Sequence, residues 1–417
     1  MDGDGSSERT RGVGGPGTDP QVLDVVVERI VAGGNGFAHE PSGRVVLVEG
    51  GLPGDRVRVE VLKERPTLIE ARVLDVLVPS DDRVRPPCPE HVRGCGGCDL
   101  QHAAAAVQPA LKANIVRDAL GRAVRRGDLD EIPVCSGEEL PAWAYRTSVR
   151  VGVVDGRPAF HRRCSDDLLA IRSCAVAHPV VGELLAHGRF PDASEVSVRV
   201  GARTGERLVV VSPTVSPETV VPDDVRVIGT DELRRGRRAW YHEEVAGHRF
   251  RISARSFFQS GASGADALVE AVGRALGRRE PDDRLVDLYG GVGLFAVAMG
   301  TRAPVVVERS ASSTADARVN LEGRGATVVK VAAERWHPSA ADLLVADPSR
   351  AGLGREGVRV ASAPGARRIA LVSCDVAALA RDLVLFAGAG YRATCVELVD
   401  LFPGTHHVEA VTTLEPA

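Results

Sequence analysis

The sequence predicts a mixed α/β protein. Its C-terminal part reads as an open, doubly wound, Rossmann-like sheet, preceded by a small β-barrel and a β-rich central region. Three observations predict this. From Arg251 onward, short apolar runs alternate with helix-forming stretches, as in a parallel sheet with helices on both faces. Several of those runs end in a reactive residue (Asp287, Glu308, Asp347, Cys374), at the carboxyl edge where such sheets take ligands. Before Arg251 the β-favouring runs are instead separated by glycine-rich turns.

At 417 residues the chain is too long for one core. Its pattern divides into a tail over 1–19, a barrel over 20–80, a central region over 81–250 and the doubly wound domain over 251–417. The tail (MDGDGSSERTRGVGGPGTD) is polar, lacks the apolar stretch of a signal peptide and reads as disordered. No apolar run approaches the roughly 20 residues needed to cross a bilayer. A cytoplasmic location, no membrane partner and a monomeric state are the expectation. A net charge of −4 carries no whole-protein nucleic-acid signature, so any basic surface is local.

The barrel is read from Val25-Val26-Val27, Val45 to Val48, Val57 to Val61 and Ala71 to Leu74, with turns at Gly33-Gly34-Asn35-Gly36 and Gly50 to Asp55. Small barrels hold oligonucleotides on a strand face or act as spacers. Next comes Cys88-Pro-Glu-His-Val-Arg-Gly-Cys95-Gly-Gly-Cys98. Three thiols in one Gly/Pro loop point to a metal centre rather than disulfides. The fourth ligand is then Cys135, Cys164 or Cys174. Thiolates suit both zinc and an iron–sulfur cluster. His91 and His102 are possible further ligands but read first as ordinary loop residues. A helix is expected over about 101–126. Arginine-dense strands follow at Tyr145 to Arg150 and His161 to Arg163, able to grip phosphates or to form a solvated face. Arg234 to Arg238 reads as a basic turn.

In the last region, Asp287-Leu-Tyr-Gly290-Gly291-Val-Gly293 ends a strand and opens a helix, and Glu308 ends the next strand. Glycines there let a ligand approach the backbone, and a carboxylate about 20 residues on can accept ribose hydroxyls. The spacing is not G-x-G-x-x-G, which favours a methyl donor over a nicotinamide. Asp347-Pro348-Ser349-Arg350 lines the same edge, with Asp347 either a ligand or a helix cap. Ile369 to Cys374 runs as a strand into a helix over 377–386, so Cys374 faces a cleft as a nucleophile or fills the core. Glu409, between β-branched neighbours in the last apparent strand, is an exposed edge residue or a general base. A thiolate, a base and a methyl donor at one edge suggest one reaction: addition to uracil C6 makes C5 nucleophilic, and a base then removes the C5 proton.

These residues resemble the iron–sulfur, TRAM-domain RNA 5-methyluridine methyltransferases over about 22–415. The β-rich start resembles a TRAM (OB-like) barrel. Cys88, Cys95, Cys98 and Gln101-His102 are similar to the family's cluster loop, and Ile171-Arg172-Ser173-Cys174 to its distal ligand site. The resemblance implies a [4Fe–4S] cluster on Cys88, Cys95, Cys98 and Cys174, with zinc the alternative metal. It implies S-adenosylmethionine bound by Gln259 (in Phe257-Phe258-Gln259), Tyr289, Glu308 and Asp347. It also implies Cys374 as nucleophile and Glu409, in Leu398 to Glu409, as proton acceptor. The helix after the cluster loop is expected to pack on the catalytic domain.

Three positions depart from the family. Asp375-Val376 follows Cys374 where Asn-Pro is usual, and the Asp charge is expected to raise the thiol pKa. Ser349 replaces a proline, and Leu294 replaces a donor-contacting Asn. The partner implied is RNA, ribosomal or transfer, read at an unstacked loop uridine. A cytosine enzyme is disfavoured because no cysteine follows Asp347-Pro348. The reading from another class is a noncatalytic RNA-binding or RNA-folding protein that keeps the fold.

Overall fold

Strict alternation in Arg56–Arg65 (RVRVEVLKER) buries Val57 and Val59 and turns Arg56 and Arg58 outward, which closes a sheet over its own valines. The computed structural model describes residues 21–417. The tail expected over 1–19 lies outside the described residues. Six strands between Val22 and Val78 form this first sheet around Val25, Val46, Val48, Val57, Val59 and Ile69. A second six-stranded sheet, from Ser148–Val154 to Val225–Gly229, packs helix Pro179–His187 against its own core.

The third sheet has eight strands, labelled here in chain order: β1 (Val134–Ser136), β2 (Leu285–Leu288), β3 (Val305–Glu308), β4 (Thr327–Lys330), β5 (Leu343–Ala346), β6 (Arg368–Ser373), β7 (Tyr391–Leu398) and β8 (Ala410–Pro416). Their spatial order is β4-β3-β2-β5-β6-β8-β7-β1. The run β4 to β6 is parallel, and β8 lies antiparallel to both β6 and β7. β2, β5 and β6 are buried along their length, as parallel strands covered on both faces must be. The order reverses between β2 and β5, so the ligand crevice opens at their carboxyl ends.

One face of this sheet carries helix Ala262–Leu276 and the segment from Leu294 to Met299. The other carries Gly354–Ser362, Val376–Gly388 and Gln108–Arg125. Helix Gln108–Arg125 starts later than its alanine-rich sequence suggests. Residues 100–104 are held in turns, because Leu100 and Gln101 serve the cysteine loop. Along the chain, residues 81–250 are divided in space: this helix and β1 join the third sheet, while 148–229 forms the second. No helix among the described residues is long and apolar enough to cross a membrane.

Candidate active site

At the carboxyl end of β2 the chain must turn sharply. Tyr289 takes φ +64°, and Gly291 and Gly293 take +53° and +86°. A Cβ at Gly290 would stand 2.7 Å from Val306 Cγ1 and 2.9 Å from Asp287 Cγ, so only glycine fits beneath this crevice. Asp287 is wholly buried. One of its oxygens accepts from the Ala296 amide at 3.0 Å, and the other has no partner. Burial, added to the nearby Asp347 and Glu308 charges, pushes its pKa up to about 7. Glu308 accepts from Gly291 N at 3.2 Å and Ser310 N at 2.5 Å, and Tyr289 donates to Glu334 at 2.8 Å. A glycine cradle and a carboxylate one strand away are chemistry that a hydroxyl-bearing ligand could use at this crevice.

Cys374 follows the last residue of β6. Ser373 pairs with Ala410, so the register places Cys374 opposite Glu409 at the mouth of the β6–β8 ladder. Glu409 precedes β8 rather than lying within it, and it is only 7% exposed. The edge-strand expectation fails because β8 inserts between β6 and β7, covering what the sequence left open. Burial first, and then Asp347, raise the Glu409 pKa well above the carboxylate range, with Arg350 opposing. The Cys374 thiol is pushed up to about 11 by burial, then by Glu409 and Asp347, while Arg350 again opposes.

Burial, Glu409 and Asp347 are the main causes that raise the thiol, ahead of the adjacent Asp375. Its carboxylate turns away and caps helix Val376–Gly388, accepting from Ala378 N at 2.8 Å. Asp347 caps nothing: the next helix begins at Gly354, and Asp347 stays at the end of β5 with its pKa pushed up to about 7 by burial.

A cavity of about 340 Å³ opens at Cys374. Its wall carries Arg146, Arg150, Arg199 and Arg350, with Phe257, Gln259, Phe402 and His407. Phe257 is 71% exposed, which a core residue would not be. Gln259 also lines a neighbouring cavity of about 250 Å³ at the start of helix Ala262–Leu276. Sequence reasoning missed Arg199, and it placed Arg350 at this edge without giving it a role. Arg199 sits in an ordinary alternating strand, and only the fold brings it beside Arg146. Arg162 and Arg163 do not join this wall; they pack on the cysteine loop. Leu294, at 7% exposure, is core rather than a ligand contact.

The cysteine loop folds against the second sheet. Cys88, Cys95, Cys98 and Cys174 line one cavity of about 40 Å³, with His91 and Gln101 at its wall. Cys135 and Cys164 lie elsewhere: Cys135 faces Cys395, and Cys164 stands by Glu49. Burial raises the Cys95 and Cys174 thiols and pushes Cys98 up to about 12, as expected of soft donors gathered without a cation. His91 contacts Arg163 and, with burial the larger cause, is pushed down to about 4. Among the described residues no three such side chains converge tightly enough for one bare ion. Zinc draws its sulfurs to about 2.3 Å from a single point. Four soft thiols lining one cavity suit either zinc or an iron–sulfur cluster.

A Rossmann-like sheet with a donor-type crevice beside an arginine-walled thiol cavity defines an α/β transferase-type domain carrying an N-terminal barrel. Residues 19–74 match the TRAM domain family. An uncharacterized RNA methyltransferase of Streptomyces avermitilis is 36% identical, over 95% of this chain and 99% of its own. The 23S rRNA (uracil(1939)-C(5))-methyltransferase of Chromohalobacter salexigens is 32% identical, over 98% of this chain and 93% of its own. The chain belongs to the TRAM-domain RNA methyltransferases, a family that includes a uracil-C5 enzyme. Its fold is that of the tRNA (uracil-54, C5)-methyltransferase of Pyrococcus abyssi, solved with S-adenosyl-L-homocysteine. The TM-score is 0.70, at 21% identity, over 94% of this chain and 99% of that one.

Proposed function

We propose that this RNA methyltransferase makes 5-methyluridine, with S-adenosylmethionine as donor and a loop uridine of ribosomal or transfer RNA as acceptor. The observation that carries the reading is the register of Cys374 opposite Glu409, at the mouth of a cavity walled by arginines. When bound, the donor supplies an electrophilic methyl on sulfonium. Glu308 suits its hydroxyl groups, and Gln259, Tyr289 and Asp347 complete the expected set.

Arg146, Arg150, Arg199 and Arg350 bind backbone phosphates and bring in an unstacked uridine, with Phe257 offering an exposed ring for a base to stack on. Cys374, as thiolate, adds to uracil C6. Electron density moves to C5, which takes the methyl group. Glu409 then removes the C5 proton, and the C6–S bond breaks to restore the ring and free the thiolate. The high thiol pKa sets a requirement: positive charge, from Arg350 and the donor's sulfonium, must stabilise the thiolate as it forms. The raised Glu409 pKa makes its carboxylate the stronger base once ionised, so its own proton must leave before it accepts one from C5.

The four cysteines would hold a [4Fe–4S] cluster, with zinc the alternative; such a group would cross-link the loop to Cys174 and brace the RNA side of the site. The deciding experiment is mass spectrometry of RNA nucleosides from a deletion strain and from in vitro reactions. Loss of 5-methyluridine at one position, restored by the purified chain, supports the reading. Unchanged 5-methyluridine together with RNA binding would favour the noncatalytic alternative.

A further inference from the structure

Lys112 is a buried ammonium for which the chemistry above has no use. It sits on helix Gln108–Arg125 at 3% exposure, donating to Asp400 Oδ1 at 2.6 Å and to the Phe402 carbonyl at 3.0 Å. Burial works against its charge, and the Asp400 carboxylate works for it. One helical turn earlier, Gln108 accepts from Gly404 N at 2.7 Å and donates to the Leu100 and Ala103 carbonyls. Leu100 N donates to the Gly404 carbonyl at 2.9 Å, Tyr145 donates to the Pro403 carbonyl at 3.0 Å, and Asp99 accepts from His406 N at 2.8 Å.

The irregular segment between β7 and β8 is thus anchored from outside its own sheet at residues 400, 402, 403, 404 and 406. That segment supplies Phe402, Thr405 and His407 to the Cys374 cavity and ends at Glu409. We propose that Lys112, seconded by Gln108, is a positioning residue for Glu409: it fixes the segment that aims the proton acceptor and ties it to the cysteine loop through Asp99 and Leu100. This rests on the uracil-C5 reading for its catalytic consequence, but not for the anchoring itself. Misplacing a reacting group by about 1 Å costs on the order of a hundredfold in rate.

The test compares wild type with Lys112→Met, which keeps the length of the side chain, and with Asp400→Asn, which keeps an acceptor for Lys112. Amide hydrogen exchange of 399–409 is read alongside turnover. Faster exchange is expected in Lys112→Met, together with a kcat loss of about ten- to a hundredfold. The KM for RNA should change much less, and a denaturing gel should show methylated RNA held covalently on the protein. Unchanged protection of 399–409, or a kcat loss without that adduct, overturns the proposal. If wild type itself forms no 5-methyluridine, the functional reading fails instead, and exchange still decides the anchoring. If Lys112→Met does not fold, Asp400→Asn decides the question: a smaller change of the same pattern supports the proposal, and wild-type exchange and turnover overturn it.

A separate observation concerns two thiols that the site does not absorb. Cys135 on β1 and Cys395 on β7 have sulfurs 3.5 Å apart, with Cys135 exposed and Cys395 at an irregular step in the β7–β8 pairing. The geometry points to an oxidation site for peroxide. One thiolate attacks the peroxide oxygen and releases water, becoming a sulfenic acid. The second thiol attacks that sulfur and releases a second water, leaving a disulfide between β1 and β7. Treating the full chain with hydrogen peroxide, then alkylating and digesting without reductant, should yield a linked 135–395 peptide. Dithiothreitol should reverse the link, and Cys135→Ser should abolish it. Recovery of both cysteines alkylated, or of links between different molecules, overturns this assignment.

Discussion

Cys374 and Glu409 stand opposite each other one position beyond the last registered pair of the β6–β8 ladder, Ser373 with Ala410. Opposed residues in such a ladder hold their Cβ atoms about 5 Å apart. The roles proposed for the two residues make separable expectations.

Cys374→Ala should abolish methyl transfer, by at least about 10⁴-fold, while donor affinity stays within a factor of about three. Equilibrium dialysis with S-adenosylhomocysteine, beside a nucleoside assay, checks both. Glu409→Gln should transfer the methyl but release RNA slowly, accumulating an adduct that survives denaturation. Normal turnover without adduct would identify another base.

Arg350 opposes the rise in both pKa values, so Arg350→Met should push the Cys374 thiol higher still. The thiolate forms as pH rises. The acid limb of kcat/KM should therefore move to higher pH in the variant, with a loss of about tenfold near neutrality that narrows in alkaline buffer. A pH–rate profile for wild type and variant reads this directly.

Asp287 gives a stability signature with a definite sign. Its folded pKa, about 7, lies above the unfolded value near 3.9, so the native state binds the proton more tightly. The stabilisation this provides is complete below about pH 4 and is lost as pH rises through 7. Asp287→Asn keeps an acceptor for Ala296 N and removes the titration. Its Tm should come nearest to wild type at about pH 3.5 and exceed it by a few degrees at about pH 8, measured by scanning calorimetry.

The cysteine cavity predicts a selective pattern. Protein purified without oxygen should absorb in the visible, and Cys174→Ser should lose that absorption while Cys135→Ser and Cys164→Ser retain it. Colourless protein containing one zinc per chain would select the alternative metal.

Much of this was legible in the residues. The alternation from Arg251 onward announced a doubly wound sheet, because parallel strands buried on both faces must read as apolar runs between helices. Cys88, Cys95 and Cys98 announced that three thiols gather, because a tight Gly/Pro loop brings them together locally, and they line one cavity. Cys374 was legible as a strand-end residue. Glu409 was harder: its local pattern suits an exposed edge, and only the insertion of β8 between β6 and β7 buries it. The helix-capping role of Asp375 was not legible, since its orientation depends on the helix it caps.

Local chemistry therefore determined which segments become strands, helices and metal-type loops, and which residues carry reactive groups, because propensity and periodicity act over a few neighbouring positions. The tertiary structure alone decided other partners: Lys112 with Asp400 nearly three hundred positions away, and Arg199 beside Arg146, whereas Cys174 at the cysteine cavity and Glu409 with Cys374 were implied beforehand only by family resemblance. Those contacts follow from strand order and packing. Burial and electrostatic coupling depend on distances in space, which short-range pattern does not contain.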